Sequence, residues 1–204
     1  MSKQIIILNG PPRIGKDTLR NKIIVWYLER GITVNYASFK EPLIKLTCDF
    51  YNVDIKWFVA LYECVNGDGE YWKDSPNEAF GGKSPREALI HVSENVIKPT
   101  FGKGTFGTLL GQSLKDGITI IADGGFTEEV YGLWEAIDYE SCRNMDEIII
   151  VKLVEQGFTF DNDSRSYISV DCDLEIVYNP RSEANGLTFE SMMKMIEGKE
   201  ENEH

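Results

Sequence analysis

A glycine-containing segment near the N-terminus constrains this chain more than any other feature. It reads GPPRIGKDT from Gly10, so that Gly15 and Lys16 follow at fixed spacing. An apolar run at 4–8 precedes it, and apolar residues at helical spacing follow it over 16–30. Main-chain N–H groups of such a loop, with the positive end of the helix that begins there, converge on phosphate oxygens, and the lysine adds a mobile cation. The segment therefore predicts a strand, a phosphate-binding loop and a helix.

Short apolar runs alternate with amphipathic segments along the rest of the chain. The predicted strands are 4–8, 32–37, 118–123, 147–154 and 172–178. The predicted helices are 16–30, 41–51, 55–65, 85–98, 106–115, 127–140 and 188–197, and 66–83 is predicted to be a loop. This alternation predicts an α/β fold, a three-layer αβα sandwich with a mainly parallel five-stranded sheet. All 204 residues are expected to form a single domain.

Charge and cysteine content exclude several classes of protein. The net charge is −12, whereas binding to duplex DNA needs a basic face. The chain has no run of about 18 apolar residues and no N-terminal signal pattern. The four cysteines lack paired spacing, which is typical of reduced thiols: Cys48, Cys64, Cys142 and Cys172. We therefore expect a cytoplasmic protein that binds neither a nucleic acid polymer nor a membrane.

The residue after Lys16 is unusual for a loop of this kind. Most such loops have a Ser or Thr there that contacts magnesium, but this chain has Asp17, and Thr18 comes one position later. Asp17 is interpreted in two ways. It either holds the metal, directly or through water, or it is a carboxylate favoured in the first turn of a helix.

A second acidic residue, Asp123, ends the apolar run at 118–123 and precedes Gly124 and Gly125. Ligands of open α/β sheets bind at the carboxyl ends of the strands. We interpret Asp123 as the carboxylate that orders magnesium next to the phosphate loop. The alternative is an aspartate that merely starts a turn before two glycines.

Basic residues are few in the segment at about 39–116, which is longer than a simple crossover. Arg86 is the best candidate for a bidentate phosphate contact, with a solvated surface arginine as the alternative. It follows Ser84 and Pro85, which with Glu87 predict a capped helix start. Transfer of a phosphoryl group between nucleotides brings two polyanions together, so cations are required to hold them. A general base is not required, because the acceptor phosphate is already ionised.

The loop GPPRIGKDT resembles the GPPGxGKGT loop of adenylate-kinase-type nucleoside monophosphate kinases. It resembles still more the GKDT loop of the bacteriophage deoxynucleoside monophosphate kinases. FKEPL at 39–43, GKSPREAL at 82–89 and LEIVYNP at 174–180 look like counterparts of segments in those phage enzymes. The resemblance implies a P-loop NTPase fold, ATP and Mg²⁺ as cofactors, and transfer of the γ-phosphoryl group to a deoxynucleoside monophosphate such as dTMP or dGMP. It also implies a possible homodimer and, for a phage protein, the host cytoplasm.

The resemblance also implies site residues. The residues predicted to bind the cofactor are Gly10, Arg13, Ile14, Gly15, Lys16, Asp17, Thr18 and, near the donor base, Asn179. The residues predicted to bind the acceptor, within the insertion at about 39–116, are Phe39, Lys40 and Arg86. Lys16, Arg86 and Arg165 are predicted to be catalytic. The metal is expected at Asp17 and Asp123.

Kinases of this type have a lid whose arginines close over the donor phosphates. The candidate lid here is short, at about 155–170, and Arg165 is its one arginine. The alternative is a loop arginine satisfied by Asp161 or Asp163. Glu155 stands where a lid-base arginine would be expected, so Arg181 and Arg143 are further candidate cations.

Two other functions fit the same residues. The first is a P-loop kinase that phosphorylates a hydroxyl of a nucleoside, a modified base or a small metabolite, with Asp17 or Asp123 as general base. The second is a nucleotide-binding protein without turnover.

Overall fold

Isoleucine, leucine and valine dominate five short strands that pair in one sheet. The computed structural model describes residues 3–64, 72–140, 147–161, 163–172, 174–181 and 187–198. The strands are β1 (Lys3–Asn9), β2 (Val34–Ala37), β3 (Gly117–Gly124), β4 (Glu147–Leu153) and β5 (Leu174–Tyr178). Their order across the sheet is β2-β3-β1-β4-β5, and each pairing is parallel. The predicted α/β fold with a parallel five-stranded sheet flanked by helices is confirmed.

The helices follow the predicted segments closely. They are α1 (Lys16–Leu28), α2 (Lys40–Tyr51), α3 (Ile55–Glu63), α4 (Pro85–Ile90), α5 (Lys98–Phe101), α6 (Thr105–Ser113), α7 (Thr127–Glu140) and α8 (Phe189–Ile196). The predicted loop at 66–83 contains 3₁₀ turns at Trp72–Asp74 and Glu78–Phe80, and its first part, 66–71, lies outside the described residues. None of the helices within the described ranges combines the length and apolar character needed to cross a bilayer.

Alternating side chains along β1 divide the core into two layers. Ile6 and Leu8 pack with residues of α1 and α8 on one face of the sheet. Ile5 and Ile7 pack with residues of α6 and α7 on the other face. All four are fully buried, as expected for a central parallel strand covered on both sides. The loop that follows β1 therefore emerges at the middle of the sheet's carboxyl edge.

The insertion encloses a smaller core of its own between α2, α3 and α4. Its buried members are Cys48, Phe58, Phe80, Ala88 and Leu89. Because α2 follows β2 directly and all the strands are parallel, this unit begins at the same edge of the sheet as the loop after β1.

The helix predicted over 85–98 begins as expected and then changes its winding. The Ser84 Oγ accepts a hydrogen bond from the Glu87 N–H (3.2 Å), and the Glu87 carboxylate accepts one from the Ser84 N–H (2.8 Å). The α-helical winding ends at Ile90, and a π-helical turn, His91–Ile97, leads into α5. Pro99 has no N–H to bond the carbonyl four residues earlier, and its ring needs space there, so the helix widens ahead of it.

Candidate functional site

The segment after β1 is a tight loop between the sheet and α1. Helix α1 begins directly after Gly15, whose φ of 108° is rarely adopted by residues with a side chain. Gly10 lies against β4, where an added Cβ would come within 3.0 Å of Leu153. One glycine is thus needed for its backbone conformation and the other for close packing. The predicted order of strand, loop and helix is confirmed.

Ile14 fastens the loop to the protein, and Arg13 beside it is strained. Ile14 is 1% exposed and packs in the core layer next to α1. Arg13 is exposed, and its φ of 64° lies in the left-handed region, which costs about 1 kcal/mol for a residue other than glycine. Within the described residues Arg13 makes no ion pair. The loop therefore presents an unpaired cation to solvent.

The Lys16 ammonium group bends back over the loop. Its Nζ donates hydrogen bonds to the carbonyl oxygens of Gly10 (2.6 Å) and Pro11 (2.7 Å). Burial, followed by the positive charge of Arg165, lowers the pKa of Lys16 to about 8. Arg165 is therefore close to the loop, and the two cations together favour a polyanionic ligand at this position.

A pocket of about 140 Å³ opens beside the loop, between α1 and the end of β5. The residues that line it include Ile14, Gly15, Thr18, Lys22, Tyr178, Pro180 and Arg181. Asn179, predicted to lie near the donor base, is between two of these lining residues in the chain, and its Oδ1 accepts a hydrogen bond from the Arg181 N–H (3.1 Å). The structure thus brings Thr18 and the segment around Asn179 to one pocket next to the loop.

Asp17 lies on the surface in the first turn of α1. Its side chain is 80% exposed and forms an ion pair with Arg20, with 3.0 Å between the Asp17 Oδ1 and the Arg20 Nη1. The positive end of the helix stabilises a carboxylate at this position. The helix-start interpretation therefore accounts for the geometry of Asp17, and its role in holding metal stays a prediction.

Asp123 joins the carboxyl end of β3 to the start of α2. Its Oδ2 accepts hydrogen bonds from the Ser38 Oγ (2.6 Å) and the Lys40 N–H (3.2 Å). Its Oδ1 accepts one from the Phe39 N–H (3.1 Å). This carboxylate therefore fixes the connection between β2 and α2 as well as facing the edge of the sheet where the loop emerges.

The donor set around the loop suits magnesium held mainly through water. The described residues contain no group of three or more His, Cys, Asp or Glu side chains arranged to hold a metal ion. Mg²⁺ commonly uses one or two carboxylates, with water and substrate phosphates as its other ligands. Asp123 fits that pattern, because its Oδ1 accepts one hydrogen bond and keeps a lone pair for a metal-bound water, while the two hydrogen bonds to Oδ2 orient the carboxylate.

The two residues at the start of α2 that were predicted to bind the acceptor lie in different environments. Phe39 is 4% exposed and packs in the core with residues of α7, so the predicted acceptor contact falls on a core side chain. Lys40 is exposed and makes no ion pair with any described residue. Its positive charge contributes to the lowered pKa of Lys16, after the effects of burial and Arg165, so Lys40 belongs to the same group of cations.

Arg165 lies on a segment that is tied to the sheet. Its guanidinium group forms a bidentate pair with Asp163, with Nε–Oδ1 at 2.8 Å and Nη2–Oδ2 at 2.6 Å. The Arg165 side chain lies over Gly125, where an added Cβ would come within 2.7 Å of it. The Ser166 N–H also donates to the Gly125 carbonyl (3.0 Å). This geometry matches the alternative interpretation, in which Arg165 is a loop arginine paired with Asp163. Arg165 also lies near Lys16.

Asn9, the last residue of β1, holds that segment in place. It is fully buried, and its Nδ2 donates to the carbonyl oxygens of Gly124 (3.2 Å) and Ser166 (3.1 Å). Its Oδ1 accepts a hydrogen bond from the Ile168 N–H (2.8 Å). One side-chain amide therefore connects β1, β3 and the Arg165 segment directly beneath the phosphate loop.

Arg86 lies in the insertion and is held there by an ion pair. It lies in the first turn of α4, and its Nε is 2.6 Å from the Asp74 Oδ1. Burial raises the pKa of Tyr62 in α3, and the positive charges of Arg86 and Arg165 both oppose that rise. Both arginines are therefore near the Tyr62 hydroxyl.

Arg181 lies just after the end of β5. Its Nε is 3.5 Å from the Glu155 Oε2, and its guanidinium carbon is 4.4 Å from the centre of the Phe158 ring. It also lines the pocket next to the loop. Arg143, the other further candidate, lies outside the described residues.

Sequence reasoning missed Asn9 and Asp74. Asn9 gave a local signal, since it is an amide that directly follows four apolar residues and directly precedes the glycine loop. Asp74 gave none, because its position depends on how a 3₁₀ turn packs against α4.

No protein-family model matches the chain, and no curated protein gives a significant match. The assignment of a function therefore rests on the geometry of the site.

Proposed function

We propose that the protein is an ATP-dependent kinase that transfers the γ-phosphoryl group to a nucleoside or deoxynucleoside monophosphate and produces the diphosphate. The observation that supports it most is a set of cations that extends from the phosphate loop to the insertion. Arg165 and Lys40 both lie near Lys16, and Arg165 and Arg86 both lie near Tyr62. The protein has a net charge of −12, so this concentration of positive charge suits two negatively charged substrates.

The residues divide into a donor side and an acceptor side. On the donor side, main-chain N–H groups of the loop and the Lys16 ammonium group bind the polyphosphate, and the pocket beside Thr18 accommodates the base. On the acceptor side, Arg86 binds the monophosphate. Arg165, held by Asp163 between the two sides, stabilises the charge that develops on the transferred group. Asp123 would hold magnesium through water, and the ion, when bound, would neutralise charge on the donor phosphates.

The geometry disfavours a kinase that acts on a hydroxyl group. Such a reaction is helped by a carboxylate free to accept a proton. Both oxygens of Asp123 already accept hydrogen bonds, and Asp17 is exposed and paired with Arg20. An acceptor that is already ionised needs no such base, and this agrees better with the surroundings of both carboxylates.

The test is a panel of acceptors incubated with γ-labelled ATP and magnesium. Label on nucleoside monophosphates supports the proposal. Label on a hydroxyl of a nucleoside or metabolite would instead indicate a kinase that phosphorylates hydroxyl groups. Tight ATP binding without transfer would indicate a nucleotide-binding protein without turnover. A cytoplasmic location and a homodimer are part of the same proposal and need separate measurements.

A further inference from the structure

Asn9 is fully buried at the end of β1, and both polar atoms of its side chain have partners. Its Nδ2 donates hydrogen bonds to the carbonyl oxygens of Gly124 (3.2 Å) and Ser166 (3.1 Å), and its Oδ1 accepts one from the Ile168 N–H (2.8 Å). Two carbonyl oxygens and one N–H group match an amide in a single orientation. An apolar side chain would leave three main-chain groups without this partner, and a carboxylate could not donate to the two carbonyl oxygens. The position therefore requires an amide.

The partners of Asn9 are the immediate neighbours of predicted site residues. Gly124 directly follows Asp123, and Ser166 directly follows Arg165. Asn9 itself directly precedes the phosphate loop. One side chain therefore binds the main chain next to the loop, next to the carboxylate at the end of β3 and next to the arginine between β4 and β5.

The residues at 165–168 depend on such bonds, because they belong to no helix or strand. The Ser166 N–H donates to the Gly125 carbonyl (3.0 Å). The Tyr167 Oη donates to the carbonyl oxygen of Leu153, the last residue of β4 (2.9 Å). No ladder of main-chain hydrogen bonds fixes this segment along its length, so the buried amide of Asn9 decides where the segment lies against the sheet.

The Arg165 side chain is seated on Gly125 and has donors to spare. A Cβ at position 125 would come within 2.7 Å of the Arg165 Cβ, Cγ and Cδ, so the aliphatic part of the arginine lies directly on the glycine. The guanidinium group uses Nε and Nη2 for Asp163, and no hydrogen bond joins its Nη1 to any described residue. The Nη1 donors are thus available to a phosphate oxygen. After burial, the charge of Arg165 is the next cause of the lowered pKa of Lys16, so the two cations are close.

We infer that Asn9 is a positioning residue, whose amide holds Arg165 where its guanidinium group stabilises the phosphoryl group in transfer. This inference rests on the proposed kinase function. Electrostatic stabilisation of a transition state needs donors that are fixed before the reaction, and a displacement of about 1 Å can lower a rate about 100-fold. Asn9 acts through Arg165 and touches neither substrate, so its loss lowers kcat far more than it raises either KM.

The test is a double-mutant cycle on kcat, with ATP and the monophosphate that the wild type phosphorylates best. Asn9→Ser removes the amide and is expected to lower kcat about 10- to 30-fold, with the KM for each substrate within about threefold of wild type. Arg165→Ala is expected to lower kcat about 100-fold. When Arg165→Ala is already present, Asn9→Ser is expected to change kcat by less than about twofold, because the group that it positions is gone.

The matched control is Ile5→Val in the buried part of the same strand. It is expected to lower the midpoint of urea unfolding and to leave kcat within about twofold of wild type. An equal loss from Asn9→Ser with and without Arg165, or no loss in either case, overturns the inference, since a purely structural role does not depend on Arg165. If Asn9→Ser does not fold, as judged by circular dichroism, Asn9→Asp is read by the same criteria, because it keeps the size of the side chain and removes the amide donors.

Failure of the kinase proposal gives a different result. If the wild type transfers phosphate to no monophosphate, that proposal fails by itself, and Arg165 is then a cation for bound ATP alone. The same cycle is read on the dissociation constant of ATP. Weaker binding in Asn9→Ser only when Arg165 is present supports the positioning role, and an equal effect or no effect in both backgrounds overturns it.

Discussion

The phosphate loop takes its shape mainly from its main chain, whereas Arg86 in the insertion is positioned by a side-chain ion pair. Gly15 sets the loop by its backbone conformation and Gly10 by close packing against β4. Arg86 depends instead on Asp74, which lies in a different element. Substitution of an exposed side chain in the loop leaves Gly10 and Gly15 in place. Substitution of Asp74, in contrast, directly alters the position of Arg86. The two regions should therefore respond differently to mutation and to pH.

Lys16→Ala is expected to have the largest effect, a loss of about 10³-fold in kcat, because it removes a charge that stabilises the transition state. The free energy of unfolding should fall by no more than about 2 kcal/mol, since the variant loses two hydrogen bonds to the loop but keeps the backbone conformation of Gly15 and the packing of Gly10. Steady-state rates and urea unfolding measure the two quantities. Lys16→Arg keeps the charge and serves as control. An alanine variant that kept more than about a tenth of the activity would contradict the loop's role in transfer.

Arg86→Ala should raise the KM for the acceptor about 10- to 100-fold and leave the KM for ATP within about twofold. Asp74→Asn should raise the acceptor KM less, by several-fold, because it loosens Arg86 without removing it. Initial-rate measurements with each substrate varied in turn give both constants. An equal rise in the KM for the acceptor and the KM for ATP would show that Arg86 does not belong to the acceptor side.

The buried carboxyl group of Glu129 should make stability depend on pH. Its pKa is raised from 4.5 to about 8, so the folded state keeps a proton that the unfolded state has released. Its stabilising contribution is complete below about pH 4.5 and is lost as the pH rises through about 8. The free energy of unfolding of the wild type should therefore fall by about 2 kcal/mol relative to Glu129→Gln between pH 6 and pH 8. Urea unfolding of the wild type and of Glu129→Gln at both pH values measures this difference. Free energies of unfolding that change equally with pH in the two proteins would contradict the raised pKa of Glu129.

ATP affinity should weaken above pH 8. Burial and Arg165 lower the pKa of free Lys16 to about 8, and a bound polyphosphate would raise it again. The dissociation constant is therefore expected to rise by up to about fivefold between pH 8 and pH 9. Lys16→Arg should abolish the pH dependence, and acceptor binding should lack it because Arg86 stays charged. Calorimetry of ATP binding at pH 8, in buffers of different ionisation enthalpy, should detect the uptake of a proton. If no proton is taken up, the lowered pKa of Lys16 is contradicted.

Arg13→Gly should have the smallest effect and act in opposite directions on stability and binding. Glycine relieves the left-handed conformation and should stabilise the protein by about 0.5–1 kcal/mol, which corresponds to about 1–4 °C in Tm. Loss of the cation should raise the KM for ATP only a few-fold. Thermal melts and ATP titrations measure both. A destabilised variant would mean that Arg13 makes a contact important to the fold.

The regions also differ in how far they could be predicted from the sequence. The loop, β1 and the Ser84 cap were predictable, because spacing within a few residues determines them. The hydrogen bonds of Asp123 and the burial of Glu129 were not, because they depend on elements far apart in the chain. The π-helical turn was not predicted, although Pro99 directly follows the predicted helix and lacks the N–H that a regular α-helix needs there.

The hydrogen bonds of Asn9 also bear on the order in which the chain folds. They join positions separated by 115 to 159 residues. Contacts between such distant positions form slowly, because the intervening chain must first lose its freedom. The loop that follows Asn9 gains its final neighbours only after β3 and the Arg165 segment have docked. During synthesis, the ability to capture a nucleotide would thus arise late, and ligand binding would mark the completion of folding.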